Sequence, residues 1–308
     1  MTAADLGLFG PGSVSWRIHG DPSVAAAEVR AVLLRLLYPG AVLHRDHPKG
    51  EAWGQALRAA EYVMTTTFGT TKEANRAAAR ATGLMRPIPG IDPDVSDEDG
   101  SAAGSDHELI RWVHCCNVDS YLTVARRSGL HLEDVEADAY VAEQVRSAEL
   151  LGLPRDSVPS STAALQLYFE RMKPQLDASR EAKQAAAALL WPRISRWIVL
   201  GTPARPIWIS MTTLGFALLP AWARRMYGFP GLPTTDAAAS AAVWSLRVAM
   251  RAVPRRVREA PQVSDAKRRV AATPVMRLDS FREHPGQPAP AVPGAASRQP
   301  RGRRARAR

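Results

Sequence analysis

The chain is poor in cysteine and in lysine. Its two cysteines, Cys115 and Cys116, are adjacent, which excludes a disulfide framework and a cysteine-based zinc site. Lysine supplies only five of the 40 basic side chains. This arginine bias, together with abundant alanine, is typical of a GC-rich genome and therefore says little about ligands.

Signals for a membrane span, for export and for several common catalytic sites are also missing. The longest apolar stretch, residues 207–220, is interrupted by Ser210, Thr212 and Thr213, and it is shorter than the roughly 20 residues that cross a bilayer. No basic segment followed by an apolar run opens the chain, so we expect a cytoplasmic protein. The sequence lacks the glycine-rich nucleotide loops, the nucleophile elbow and the H-E-x-x-H zinc motif, which argues against those enzyme classes.

Excess basic charge is confined to the end of the chain, although the net charge is +10. Residues 1–250 carry 25 basic and 26 acidic side chains, whereas residues 251–308 carry 15 and 4. The nearly neutral body disfavours specific nucleic-acid binding. The arginine-rich end leaves open a peripheral contact with an anionic membrane or another polyanion.

Apolar periodicity predicts an all-α protein. After a predicted cap at Asp21 and Pro22, residues Val29, Val32 and Leu33 begin an apolar helical face. Further helices are predicted over about 51–68, 71–84, 106–127, 133–151, 160–172, 179–189 and 207–226, and no stretch alternates as a strand does. From about residue 262 the periodicity fails and proline and arginine follow. We therefore predict one helical domain over residues 1–260 and a disordered tail over 261–308.

His114 stands out because it lies in the middle of a helix that is apolar nearly all round. Ile110, Val118 and Tyr121 share its face, and such a helix is expected to be buried. An unpaired polar group in a core costs about 1–3 kcal/mol. The pattern alone favours a structural histidine bonded to a carbonyl or carboxylate; the alternative is a neutral imidazole that binds haem iron.

Two other segments allow more than one interpretation. His44 and His47 form an H-x-x-H pair that could contribute to a metal site, but a solvated turn is favoured because no third ligand is apparent. The segment 191–222 mixes tryptophan with arginine. It either covers the core, which is favoured, or lies at a membrane interface.

Six sequence blocks follow one another along the chain. They are residues 9–22 (FGPGSVSWRIHGDP), 36–40 (LLYPG) with Asp46 and His47, 65–74 (TTTFGTTKEA), 112–120 (WVHCCNVDS), 140–146 (YVAEQVR) and 151–154 (LGLP). In this order the blocks resemble the oxygenase MpaB / rubber oxygenase (latex clearing protein) catalytic-domain family. The resemblance covers roughly residues 8 to 230, and the block around His114 is the most specific.

The resemblance implies an all-α fold with a globin-like core and a b-type haem held by one histidine, a role that falls to His114. It implies an oxygenase that uses O2 on an apolar, prenyl or unsaturated lipid-like substrate. Arg80 is the best positional match to the arginine that approaches the distal side of the haem in the rubber oxygenases.

The chain also departs from the family pattern. The distal lysine and threonine of the rubber oxygenases have no clear equivalent around Gly83 and Leu84, and Asn117 stands where many relatives have an acid. Without an export signal, polymeric rubber is not the expected substrate. Two alternatives therefore stay open, namely a non-catalytic haem-binding or sensor protein and a binder of anionic surfaces that acts through the basic tail.

Overall fold

Helices form all the regular secondary structure that the computed structural model describes, which covers residues 5–39, 52–85, 101–190 and 204–272. The predicted all-α class is confirmed within these ranges. Short 3₁₀ turns occur at Arg155–Ser157 and Lys173–Gln175. The α-helices are α1 (Val14–His19), α2 (Val24–Arg35), α3 (Ala52–Phe68), α4 (Thr71–Met85), α5 (Ser101–Arg127), α6 (Asp134–Leu150), α7 (Thr162–Met172), α8 (Arg180–Leu190), α9 (Ala204–Ala217), α10 (Ala221–Met226), α11 (Pro233–Ala252), α12 (Arg255–Arg258) and α13 (Pro261–Ala272).

Local capping explains where several helices begin. The backbone N–H of Thr70 donates to Glu73 Oε2 at 2.8 Å, and the backbone N–H of Glu73 donates to Thr70 Oγ1 at 3.2 Å, so a capping box precedes α4. A second capping box joins Glu133 and Glu136 at the start of α6. Ser161 caps α7 in the same way, because its hydroxyl accepts a hydrogen bond from the N–H of Ala164.

The predicted cap of α2 at Asp21 is wrong. Helix α2 begins at Val24, and Ser23 occupies its N-cap position without a capping side-chain bond. Asp21 instead accepts hydrogen bonds from the N–H and hydroxyl of Ser23 and forms a buried ion pair of 2.6 Å with Arg247. The carboxylate that the local sequence predicts to cap a helix is thus bound by Arg247, a residue more than 200 positions away.

The core is built around α2, which packs against α5 on one side and α9 on the other. Trp112 of α5 is fully buried; its ring meets that of Phe169 edge-on at 5.4 Å, and its indole N–H donates to the carbonyl of Arg35. Gly215 of α9 lies against Val29 of α2 and leaves no room for a Cβ. These contacts fix α5, the helix that carries His114, against the centre of the fold.

Four of the described helices were not predicted, and one predicted helix is broken. Helices α1, α11, α12 and α13 lie where no helix was expected, and the helix expected over 207–226 is divided between α9 and α10 at Pro220. Proline at that position cannot donate the backbone hydrogen bond that a continuous helix needs. Helix α11 buries only a narrow stripe, Ala239, Val243 and Arg247, which gives a weak sequence signal.

Helix α13 also moves the boundary of the folded part. Its Val263 and Ala266 are buried in a cluster with Phe68 of α3, so the packed structure extends at least to Ala272 and the predicted end at residue 260 lies too early. The remainder of the predicted tail, residues 273–308, lies outside the described residues. The disorder predicted for it stays a prediction.

The described part of the tryptophan-rich segment covers the core. The indole N–H of Trp208 donates to the carbonyl of Leu189 at 2.9 Å, and both Trp208 and Trp222 pack against the main apolar cluster. Trp191 and Trp197 lie outside the described residues. None of the described helices combines the length and apolar character that a membrane crossing requires.

Candidate functional site

His114 lies on α5 with 5 % of its surface exposed. Burial lowers the pKa of its imidazole to about 4, so the ring is neutral near pH 7. Among the residues that the structure describes, none forms a hydrogen bond with either ring nitrogen. The ring is thus a buried, neutral nitrogen base without a protein partner in this part of the chain.

His19 provides the contrasting case. It is also buried, and burial lowers its pKa to about 3. Its Nδ1 lies 2.6 Å from Thr67 Oγ1 and its Nε2 lies 2.9 Å from Tyr140 Oη. Both ring nitrogens are therefore satisfied, and His19 links α1 to α3 and α6 as a structural histidine.

The surroundings of His114 are those that the helical pattern predicted. Ile110, Val118 and Tyr121, which share its face of α5, are all buried. Ile110 belongs to an apolar cluster with Ala78 of α4 and other residues that include Ala148, Leu151, Leu153 and Val158. This apolar environment is the physical reason why the charged form of the imidazole is disfavoured.

A buried polar network lies one helical turn from His114. Asn117, three residues further along α5, accepts a hydrogen bond from Arg35 of α2. Arg35 Nη2 also contacts Glu28 Oε1 at 3.0 Å, and the Tyr121 hydroxyl donates to Glu28 Oε2 at 3.2 Å. The network ties the turn of α5 that follows His114 to α2.

Glu28 and Arg35 were not among the residues singled out from the sequence. A signal was present, because these two charged residues stand seven apart, and so on one face, within a helix whose only other charged residue is Arg30. Their partners on α5 are distant in sequence and could be found only from the fold.

Asp119 has a structural role. Its carboxylate lies 2.7 Å from Nη2 of Arg30, whose side chain is almost completely buried. Arg30 also donates to the hydroxyl of Ser120 and to the carbonyl of Leu218. The carboxylate therefore joins α5 to α2 and does not hold the imidazole of His114.

Arg80 is exposed on α4 and forms no hydrogen bond or ion pair within the described residues. The structure does not bring it into the polar network near His114. Its predicted approach to the distal side of a haem stays a prediction, and its placement lends that prediction no support.

The other candidate ligands add no second site in the part of the chain that the structure describes. His44 and His47 lie outside it, and the described residues contain no group of three or more His, Cys, Asp or Glu side chains arranged to hold a metal ion. Cys115 and Cys116 are buried, and burial raises the pKa of both thiols. Neither is a reactive thiolate.

Comparison with known protein families now identifies the chain. Residues 16–255 match the family described as ER-bound oxygenase mpaB/B'/Rubber oxygenase, catalytic domain. The chain belongs to this oxygenase family. The resemblance drawn from the six sequence blocks is thereby confirmed, and O2 and a substrate are the partners that an oxygenase requires.

The part of the chain that matches the oxygenase family includes His114, Arg80, the polar network of Glu28 and Arg35, and the ion pair of Arg30 with Asp119. It ends within α12. No curated protein and no solved structure matches the chain significantly. The globin-like character expected of the core therefore stays a prediction.

Proposed function

We propose that this member of the oxygenase family is haem-dependent, that His114 binds the iron of a b-type haem, and that the substrate is an apolar prenyl or unsaturated lipid. The observation that carries the proposal is the difference between the two described buried histidines. His19 has both nitrogens bonded, whereas His114 is neutral, buried and without a partner among the described residues.

A single histidine is enough to hold a haem iron from the protein side. The site fits that need, because a neutral imidazole nitrogen is the ligand required and none of the described residues forms a hydrogen bond with it. A bound haem would supply the chemistry that activates O2, and the protein supplies access, orientation and polarity.

The residues around His114 support that division of roles. Ile110 and Val118 are buried on the same face of α5 as the ring, and the hydrogen bond from Arg35 to Asn117 holds the next turn of α5 in place. An apolar environment of this kind accepts a hydrocarbon chain more readily than a polar substrate. The choice of an apolar substrate rests on this environment and on the family.

A haem protein without oxygenase turnover is the second candidate function. The exposed position of Arg80 favours it, because a cation surrounded by water stabilises a nearby negative charge only weakly. Oxygen uptake separates the two candidates.

The test is O2 uptake by the purified, haem-loaded chain with a reductant present. Squalene serves as the unsaturated prenyl probe and hexadecane as the saturated control, both dispersed in the same detergent. We expect uptake with squalene only, its loss in His114→Ala, and its retention in His107→Ala, which changes an exposed histidine of the same helix. Haem binding without uptake would favour the second candidate, and equal uptake by His114→Ala would refute the role of His114.

A further inference from the structure

A cavity of about 640 Å³ opens beside the buried histidine His19. Its walls come from α1, α2, α3, Tyr121 of α5 and the three last described helices, α11, α12 and α13. The volume lies within the range of roughly 300–1,000 Å³ that small-molecule sites occupy. His114 is not one of its lining residues, but Glu28 and Tyr121 of the polar network near His114 are.

One part of the cavity wall is apolar. Ala60 and Met64 of α3, Leu130, Met250 of α11 and Val263 of α13 all line it. Contact with these side chains removes hydrocarbon from water at about 25 cal/mol per Å². This part of the wall therefore suits an alkyl or prenyl chain and not a small inorganic ion.

The lining also carries a surplus of positive charge. Six cationic side chains line the cavity against three carboxylates, those of Asp21, Glu28 and Glu259. Glu28 is already paired with Arg35, and Asp21 with Arg247. The carboxylates are thus occupied by protein cations, and the surplus charge is left for a ligand.

Arg251 and Arg255 stand out among the six cations. Arg17, Arg247 and Lys267 form ion pairs with Glu136, Asp21 and Glu259, and Arg258 donates to the carbonyls of Met250 and Arg251. The side chains of Arg251 and Arg255 are exposed and form no hydrogen bond or ion pair within the described part of the chain, although Arg255 also attracts the carboxylate of Glu259. These two guanidinium groups are available to an anion.

We propose that the cavity binds a single-chain amphipathic anion. Its carboxylate or phosphate head lies at Arg251 and Arg255, and its chain lies against Ala60, Met64 and Val263. The planar guanidinium group binds either head through paired N–H donors.

Calorimetric titration of the full chain tests this proposal. The probes are decyl phosphate and decanoate, both below their critical micelle concentrations, with inorganic phosphate as the headgroup alone. We expect both decyl phosphate and decanoate to bind at one site per chain. The one that binds more tightly shows whether the site prefers a phosphate or a carboxylate head. Hexyl phosphate is expected to bind at least about tenfold more weakly than decyl phosphate, because four methylenes are removed.

Three variants locate the site. Arg251→Gln/Arg255→Gln is expected to weaken binding about tenfold, because it removes two partly exposed charge contacts with the head of the ligand. The matched control Arg171→Gln/Arg180→Gln changes two exposed arginines that do not line the cavity and is expected to bind as the wild type does. Ala25→Trp enlarges an exposed lining residue of α2 and should block the cavity while leaving the core intact.

Several outcomes would overturn the proposal. One is an absence of binding, and another is affinity for inorganic phosphate equal to that for decyl phosphate. A third is undiminished binding in a folded Ala25→Trp variant, which would show attraction to a charged surface and not occupation of the cavity. Should Ala25→Trp fail to fold, equal affinity for hexyl and decyl phosphate in the wild type would refute the proposal by itself.

Discussion

Removal of the Glu28 carboxylate is the sharpest test of how the fold holds the turn of α5 next to His114. Glu28 is the only carboxylate that Arg35 contacts in the described part of the chain, at 3.0 Å, and it accepts the hydroxyl of Tyr121 at 3.2 Å. The side chains of both partners are 10 % exposed or less. In Glu28→Ala the guanidinium group would be left buried, with Asn117 as its one remaining side-chain acceptor among the described residues.

The size of the effect follows from that burial. Removing one partner of a buried ion pair costs about 3–5 kcal/mol, because the remaining charge is uncompensated. The cost is expected to fall within that range, since the Nε atom of Arg35 already lacks a partner and Tyr121 loses its acceptor as well. A loss of about 4 kcal/mol would lower the melting temperature by roughly 8–16 °C for a domain of this size.

Equilibrium unfolding in urea measures the change, with Glu149→Ala as the control. The pair of Glu149 with Arg155 is exposed, with side chains 38 % and 64 % accessible, and its loss is expected to cost about 0–1 kcal/mol. The double variant Glu28→Leu/Arg35→Met should be more stable than Glu28→Ala, because it leaves no buried charge behind. Equal costs for Glu28→Ala and Glu149→Ala would refute the reasoning.

Two further predictions concern packing and pH. Gly215→Ala places a Cβ about 2.5 Å from the side chain of Val29 and should destabilise the fold by about 1–3 kcal/mol. In the control Gly83→Ala the added Cβ meets nothing within 4 Å, and the variant should be more stable by about 0.5–1 kcal/mol. Thermal melts compare the two variants, and equal shifts in melting temperature would contradict the close approach of α9 to α2. Burial lowers the pKa of His19 to about 3, below its unfolded value of about 6.5. Between these two pH values the folded state binds fewer protons than the unfolded state. The free energy of unfolding therefore decreases as the pH is lowered, by up to about 1.4 kcal/mol per pH unit. His19→Gln lacks this contribution, so its stability deficit relative to wild type should shrink from pH 7 to pH 5 in urea titrations; an unchanged deficit would contradict the burial of a neutral His19.

The helix that carries His114 could be predicted because its signal is local. Apolar residues on every face of α5 indicate a buried helix, and the structure buries Ile110, Val118 and Tyr121 as that pattern requires. The same logic failed for α11 and α13, since each buries only two or three small or mixed side chains. Their place in the fold comes from contacts with α3, α5 and α9 that no local pattern encodes.

The polar partners of the site could not be predicted, because they are joined through space. Glu28 and Arg35 meet Tyr121 and Asn117 across two helices more than 80 residues apart in sequence. Asp21 was assigned to a helix cap by its neighbours, yet Arg247 takes its charge. Local sequence thus specifies which side chains are buried more readily than it specifies what they bond to.

Haem titration of the purified chain tests the role of His114 most directly. We expect an absorption band at about 400 nm, as histidine-ligated haem gives. Its intensity should saturate at one haem per chain. His114→Gly should lose this spectrum and regain it when imidazole is added, while His107→Ala should match the wild type. A His114→Gly spectrum identical to that of the wild type, with no response to imidazole, would contradict the assignment of His114 as the haem ligand.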